Sequence, residues 1–189
     1  MKIAVLAVQG AFIEHEKKLE KLGAQCIELR KKENLEEDFD GLPGGESTVQ
    51  GKLLKELGMF DALKEKIEAG MPVLATCAGL ILLAKDLTND DHRYFATLPV
   101  SVRRNAYGRQ LGSFHTTEEF EGIGKVPMTF IRAPFVEKAE EGVKVLAKAD
   151  GNIVAVQYKN QIGMSFHPEL DEDTRIHKKF LEIVRNSCN

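Results

Sequence analysis

The stretch Lys2–Val8 (KIAVLAV) is a short, nearly unbroken apolar run rich in β-branched residues. Such a strand has no polar face to turn to water. It must be covered on both sides, as in a parallel sheet held between helices. The pattern that follows agrees. Phe12, Leu19 and Leu22 recur at helical spacing among Glu, His and Lys, and Gly23 stands where a helix C-cap would. Cys26–Leu29 reads as a second strand, Arg30–Asp38 as a polar connector, and Phe39–Leu42 as a third strand ending in Pro43-Gly44-Gly45. Helical spacing resumes through Leu53, Leu54, Leu57, Phe60, Leu63 and Ile67 and stops at Gly70; Pro72–Thr76 is a strand and Leu80–Ala84 is helical. Strand and helix alternating at this repeat length mean a parallel sheet with right-handed crossovers.

The second half changes character. Leu98–Val102, Thr129–Ile131, Val143–Leu146, Ile153–Tyr158 and Gln161–Ser165 are short strands between turn residues, and Lys159-Asn160-Gln161 marks a hairpin. Thr174–Asn186 is a closing helix with Ile176, Phe180, Ile183 and Val184 on one face. The expected fold class is α/β, a three-layer sandwich with a mostly parallel central sheet and helices on both faces, forming a single domain over 1–189.

Composition narrows the function classes. With 26 Lys+Arg against 29 Asp+Glu, the 189-residue chain has a formal net charge of −3 and no broad basic footprint for nucleic acid. No apolar run approaches the roughly 20 residues that cross a bilayer. The opening run is too short for a signal-peptide core, so it is read as a strand. Cys26, Cys77 and Cys188 are odd in number and far apart. They suggest neither a disulfide framework nor a zinc site, and they point to a reducing, cytoplasmic setting. No metal is expected, since no His/Cys pair has ligand spacing.

Chemistry concentrates in three places. In Ala75-Thr76-Cys77-Ala78-Gly79-Leu80 a buried strand runs straight into a cysteine between small residues, and a helix begins at once. That is the layout of a nucleophile elbow, where the helix start offers N–H groups to an oxyanion; a buried structural cysteine is the plainer alternative. Phe166-His167-Pro168-Glu169 also follows a strand, so an imidazole and a carboxylate can meet at the same sheet edge. His15 and His177, on apparent helix surfaces, and His92 and His115, in polar stretches, read as solvated. Leu42-Pro43-Gly44-Gly45-Glu46-Ser47-Thr48 is either a turn into a capped helix or a segment whose amides face a reacting carbonyl.

Together VQGAFIEH, PGGEST, TCAGLILLAK, RNAYGRQ, FIRAP and SFHPEL resemble the class I (triad) glutamine amidotransferases, whose sheet is flavodoxin-like. Within that class they resemble the family of glutaminase subunits of pyridoxal 5′-phosphate synthases, over Lys2 to about Arg175. The resemblance implies Cys77 as nucleophile, His167 as general base and acid, and Glu169 as the residue orienting His167. It implies Gly45, Glu46, Ser47, Arg104, Ile131 and Arg132 as glutamine-binding positions, and Gly45 with Ala78 as oxyanion donors. Gln9, Gly10, Glu14 and His15 look like the contact surface for the synthase subunit. The implied reaction is hydrolysis of L-glutamine to L-glutamate and ammonia without a cofactor. The implied partner is a synthase whose dodecameric core carries glutaminase subunits on its outside. Alternatives are a Cys-elbow peptidase or deglycase, and a catalytically silent regulatory subunit. The chain departs from the family pattern in two places. About two apolar residues are missing before the PGG, and Arg103 stands where an acid is usual.

Overall fold

The structure, a computed structural model, describes residues 1–8, 11–44, 49–105 and 113–187, the side chains of 49 and 50 excepted. The chain runs β1 (Lys2–Leu6), α1 (Phe12–Lys21), β2 (Gln25–Leu29), a 3-10 turn, β3 (Leu42–Gly44), α2 (Val49–Glu56), α3 (Phe60–Glu68), β4 (Val73–Thr76) and α4 (Ala78–Leu83). It continues through β5 (Ala84–Leu87), β6 (Leu98–Arg103), β7 (Ser113–Phe120), β8 (Gly124–Ile131), β9 (Phe135–Ala139), β10 (Lys144–Ala149), β11 (Asn152–Tyr158) and β12 (Gln161–Met164). A 3-10 turn at Pro168–Leu170 then leads to α5 (Arg175–Ser187).

The α/β architecture is as expected, but the sheet is mixed. Its first half is parallel: β2 pairs with β1, β3 with β4, and β4 with β12. β1 joins β3 through a bridge from Ile3 to Gly41, and the Ala4 amide donates to the Gly41 carbonyl at 2.9 Å. Beyond β12 the order β11-β10-β7-β8 is antiparallel. The reason is connection length. Parallel neighbours need a crossover of a dozen residues or more, whereas Lys159 (φ 51) and Asn160 alone turn β11 back into β12. The hairpin expected there is present.

Several boundaries differ from the sequence expectation. The third strand starts later and takes in Pro43 and Gly44. The single helical run over Leu53–Ile67 is two helices, broken at Gly58, whose φ is 65. β7 and β9 were not expected, and β8 begins well before Thr129. β7 reads SFHTTEEF and is partly exposed along its length, so no apolar run marks it. Its stability comes from full pairing with β8.

Strand alternation sends side chains into two cores, one on each face. Ala4, Leu6, Val73 and Ala75 pack with Leu54, Leu63 and Ile67 of α2 and α3 and with Leu80–Leu83 of α4. Ile3, Val5, Leu74, Ile162 and Met164 pack with Leu19 of α1 and with Ile176, Phe180, Leu181 and Val184 of α5. At Gly163 a Cβ would lie 2.8 Å from Leu80 Cδ1 and 2.9 Å from Leu98 Cδ2. A Cβ here would force the buried Leu80 and Leu98 side chains to shift, so glycine favours this close approach of α4 to β12. Among the described residues no helix is long and apolar enough to cross a membrane.

Candidate active site

β4 and β12 are parallel neighbours, so their carboxyl ends lie side by side. The ladder continues one step past β4, where the Cys77 amide donates to the Met164 carbonyl at 2.8 Å. The chain then turns sharply: Cys77 sits at φ 47, ψ −103 as the N-cap of α4. This is the strained elbow its small neighbours suggested. Ala78 opens α4, and first-turn amides have no carbonyl partner within their helix. From β12 the chain reaches His167, whose amide donates to the Thr129 carbonyl of β8 at 2.8 Å.

Three of the expected residues meet here. His167 hydrogen-bonds with Cys77 on one side. On the other, its Nδ1 lies 2.7 Å from Glu169 Oε1. All three are buried, Cys77 at 9%, His167 at 3% and Glu169 at 3% exposure. Burial by itself would push His167 down. Its hydrogen bonds to Cys77 and Glu169 outweigh that and push it up to about 10. Burial likewise disfavours charge on Glu169, but His15 and His167 win and hold its carboxyl below the ordinary value. A proton on His167 is therefore held between a sulfur and a carboxylate.

Ile131, at the end of β8, turns its carbonyl toward Cys77 Sγ at 3.8 Å, and its side chain is exposed. Arg132 follows at φ 45 and is exposed. Arg104 comes directly after β6, and its guanidinium is paired with Asp90, a partner the sequence reading missed. Its backbone amide donates to Asn89 Oδ1 at 3.0 Å. Arg103 pairs with Glu137 of β9 at 3.3 Å on the exposed side of the sheet. Gly45, Glu46 and Ser47, and likewise Gln9 and Gly10, lie outside the described residues. Among the described residues no group of His, Cys, Asp and Glu has metal-holding geometry.

Two histidines require correction. His15 is 2% and His177 0% exposed, so neither is a solvated surface residue, and the His15 side chain does not face outward as a contact residue would. Glu14 beside it is half-buried. His15 Nδ1 lies 3.0 Å from His177 Nε2, and His15 Nε2 lies 3.6 Å from Glu169 Oε2. The signal was in the sequence: His15 is in register with Phe12, Leu19 and Leu22, and His177 with Phe180, Leu181 and Val184. A polar residue within an apolar stripe is a buried one.

Similarity to known proteins agrees with this geometry. A family model described as the SNO glutamine amidotransferase family matches residues 5–186. The chain is 67% identical over 186 residues to "Pyridoxal 5'-phosphate synthase subunit PdxT" of Desulfitobacterium hafniense (strain Y51), covering 97% of this chain and 94% of that protein. It is 50% identical over 190 residues to the protein of the same name from Haemophilus influenzae (strain PittEE), covering 98% and 99%. Among solved structures, one titled "Crystal structure of glutamine amidotransferase" superposes with a TM-score of 0.89 at 44% identity, over 96% of this chain and 98% of that one. A glutamine amidotransferase of Thermotoga maritima, 16% identical, shares the fold with a TM-score of 0.62, over 99% and 83% of the two chains. The chain belongs to the SNO glutamine amidotransferase family.

Proposed function

We propose that this chain hydrolyses L-glutamine to L-glutamate and ammonia, and hands the ammonia to a synthase subunit that builds pyridoxal 5′-phosphate. The observation that carries this reading is the buried Cys77–His167–Glu169 relay at the carboxyl edge of the sheet. The name borne by the relatives supports the partner. The Cys77 sulfur attacks the side-chain amide carbon, and the oxyanion is received by backbone amides at Ala78 and Gly45. His167 gives its proton to the departing ammonia, leaving a γ-glutamyl thioester. It then takes a proton from water, whose oxygen displaces the sulfur to release glutamate. Glu169 fixes the His167 ring through Nδ1. Arg104, Arg132, Ile131, Glu46 and Ser47 hold the amino-acid end of the substrate, and a guanidinium suits its α-carboxylate. The chain works as one cytoplasmic domain without a cofactor. It docks on the outside of a synthase core through α1 and the residues before it. Ile13, 47% exposed beside Glu14, gives that helix an apolar contact.

The test is glutamate release from glutamine by the complex with the synthase subunit. Cys77→Ala and His167→Asn abolish it, whereas Glu169→Gln leaves weak activity. Ammonia supplied directly still supports pyridoxal phosphate formation in all three. A glutamine-like electrophile labels Cys77 and not Cys26, whose thiol is pushed up to about 12 by burial and by Glu20 and Glu16. Label on Cys26, or undiminished glutamate release by Cys77→Ala, refutes the assignment.

A further inference from the structure

The relay does not end at Glu169. One carboxylate oxygen, Oε1, is taken by His167, while Oε2 is buried and has no hydrogen bond among the described residues. An anionic oxygen left so is costly, unless a donor faces it. The polar group that faces it is His15 Nε2 at 3.6 Å, with Thr76 Oγ1 3.5 Å from the same nitrogen. Behind His15 stands His177, with 3.0 Å between His15 Nδ1 and His177 Nε2. His177 Nδ1 has no hydrogen-bond partner among the described residues.

These contacts select one protonation pattern. If His15 carried its proton on Nδ1, its bare Nε2 would point a lone pair at a carboxylate. The His177 Nε2 would then have to accept, leaving an N–H at His177 Nδ1 buried and unmatched. If instead His15 carries its proton on Nε2, it donates toward Glu169, and its Nδ1 accepts from His177 Nε2–H. The unmatched atom is then a lone pair on His177 Nδ1, which costs less than a stranded donor or a repelled carboxylate. Burial lowers the proton affinity of both rings, His177 most strongly, so both are neutral near pH 7.

We propose that His15 is a positioning residue of the hydrolytic relay, presenting its Nε2–H to the second oxygen of Glu169 at 3.6 Å, with His177 fixing its tautomer. The inference rests on the glutaminase reading above, and extends the line Cys77–His167–Glu169 into two helices outside the elbow. A carboxylate held at both oxygens cannot rotate, so its grip on His167 Nδ1 stays aligned. Lys18, one turn along α1 and buried, reinforces this by donating from Nζ to the carbonyls of Asp171 and of Asp173, the latter at 2.8 Å. α1 thus holds the segment carrying Glu169 by side chain and by backbone.

The experiment is a double-mutant cycle on the complex, read as kcat and KM for glutamine. Outer partners that orient a metal-ligating side chain contribute about 10- to 100-fold, and a factor of the same order is expected where the oriented group is a relay carboxylate. His15→Leu is therefore expected to lower kcat by that factor with KM within about twofold. His15→Gln, which keeps a donor, recovers part of the loss. In the Glu169→Gln background His15→Leu costs no more than about twofold further, because it acts through a group already altered. An equal loss in both backgrounds, or wild-type kcat in His15→Leu, overturns the proposal. Nitrogen-15 spectra of the wild-type protein supply a test that needs no variant: His15 must be protonated on Nε2, and protonation on Nδ1 refutes it even if His15→Leu does not fold. Absence of glutamate release by wild type would defeat the glutaminase reading itself, and leaves the tautomer measurement to decide this one.

Discussion

Cys77 sits at φ 47, ψ −103, a conformation that a side chain bearing Cβ adopts at a cost of about 1–3 kcal/mol. The turn sets the sulfur beside His167, so stability and reactivity oppose each other at this residue. Cys77→Gly is expected to be more stable than Cys77→Ala by about 1 kcal/mol in urea unfolding, net of glycine's greater freedom in the unfolded chain. Equal stabilities would mean that the elbow is unstrained. The buried histidines give the same kind of test in pH. His15 and His177 are lowered from 6.5, chiefly by burial, so the unfolded chain binds their protons first and stability falls as pH drops below 6.5. Each adds up to about 1.4 kcal/mol per pH unit. His167 has the opposite sign: being raised, its contribution is full below 6.5 and fades as pH rises toward about 10. Glu169, being lowered, contributes above 4.5 and fades only in stronger acid. The slope between pH 6.5 and 4.5 therefore reports mainly the buried pair. His177→Leu should flatten it in thermal melts; an unchanged slope would place the proton uptake elsewhere.

At the level of elements, the site depends on how closely α4 approaches β12. α4 carries Cys77 at its start, and β12 leads into His167, so their separation sets the distance between nucleophile and base. The Cβ of Gly163→Ala would press on Leu80 and Leu98, both fully buried. Overpacking of this kind costs about 1–3 kcal/mol. A small displacement at a reacting centre can also cost about 100-fold in rate. Gly163→Ala is thus expected to lower the urea midpoint and to lower kcat more than its stability loss explains. A variant with wild-type kcat would show that the packing does not set the site geometry. The short β3 is a second such element. It meets β1 through Gly41, where a Cβ would touch Phe180 and Val184 of α5 at 2.9 Å each.

Over the whole molecule, the relay draws on both the sheet and the α1–α5 helical layer. Cys77 and His167 come from adjacent strand ends, His15 and His177 from α1 and α5. α1 is also the proposed docking helix, so a partner seated on Ile13 and Glu14 bears on the helix that holds Glu169 through His15 and Lys18. The free chain is accordingly expected to be nearly inactive, and glutamate release to rise at least about tenfold when the synthase subunit is added. Ile13→Ala should raise the synthase concentration needed for half of that rise by about tenfold. Equal activity of the free chain and the complex would remove the coupling.

The alternation of apolar runs and helical stripes was enough to determine the α/β class, the parallel first half and the elbow, because burial on both faces leaves few arrangements. TCAGL and FHPEL singled out Cys77, His167 and Glu169, which the fold brings together, since local turn chemistry is written in adjacent positions. What the sequence left undecided is long-range. β7 is largely polar and β9 is short, and they exist because other strands lie in register with them. Arg104 meets Asp90 only through folded loops. His15 and His177 are 162 positions apart, and their burial, tautomers and contact with Glu169 follow from two helices sharing one face of the sheet. A polar side chain's environment is set by what packs over it, and that packing is a property of the tertiary structure.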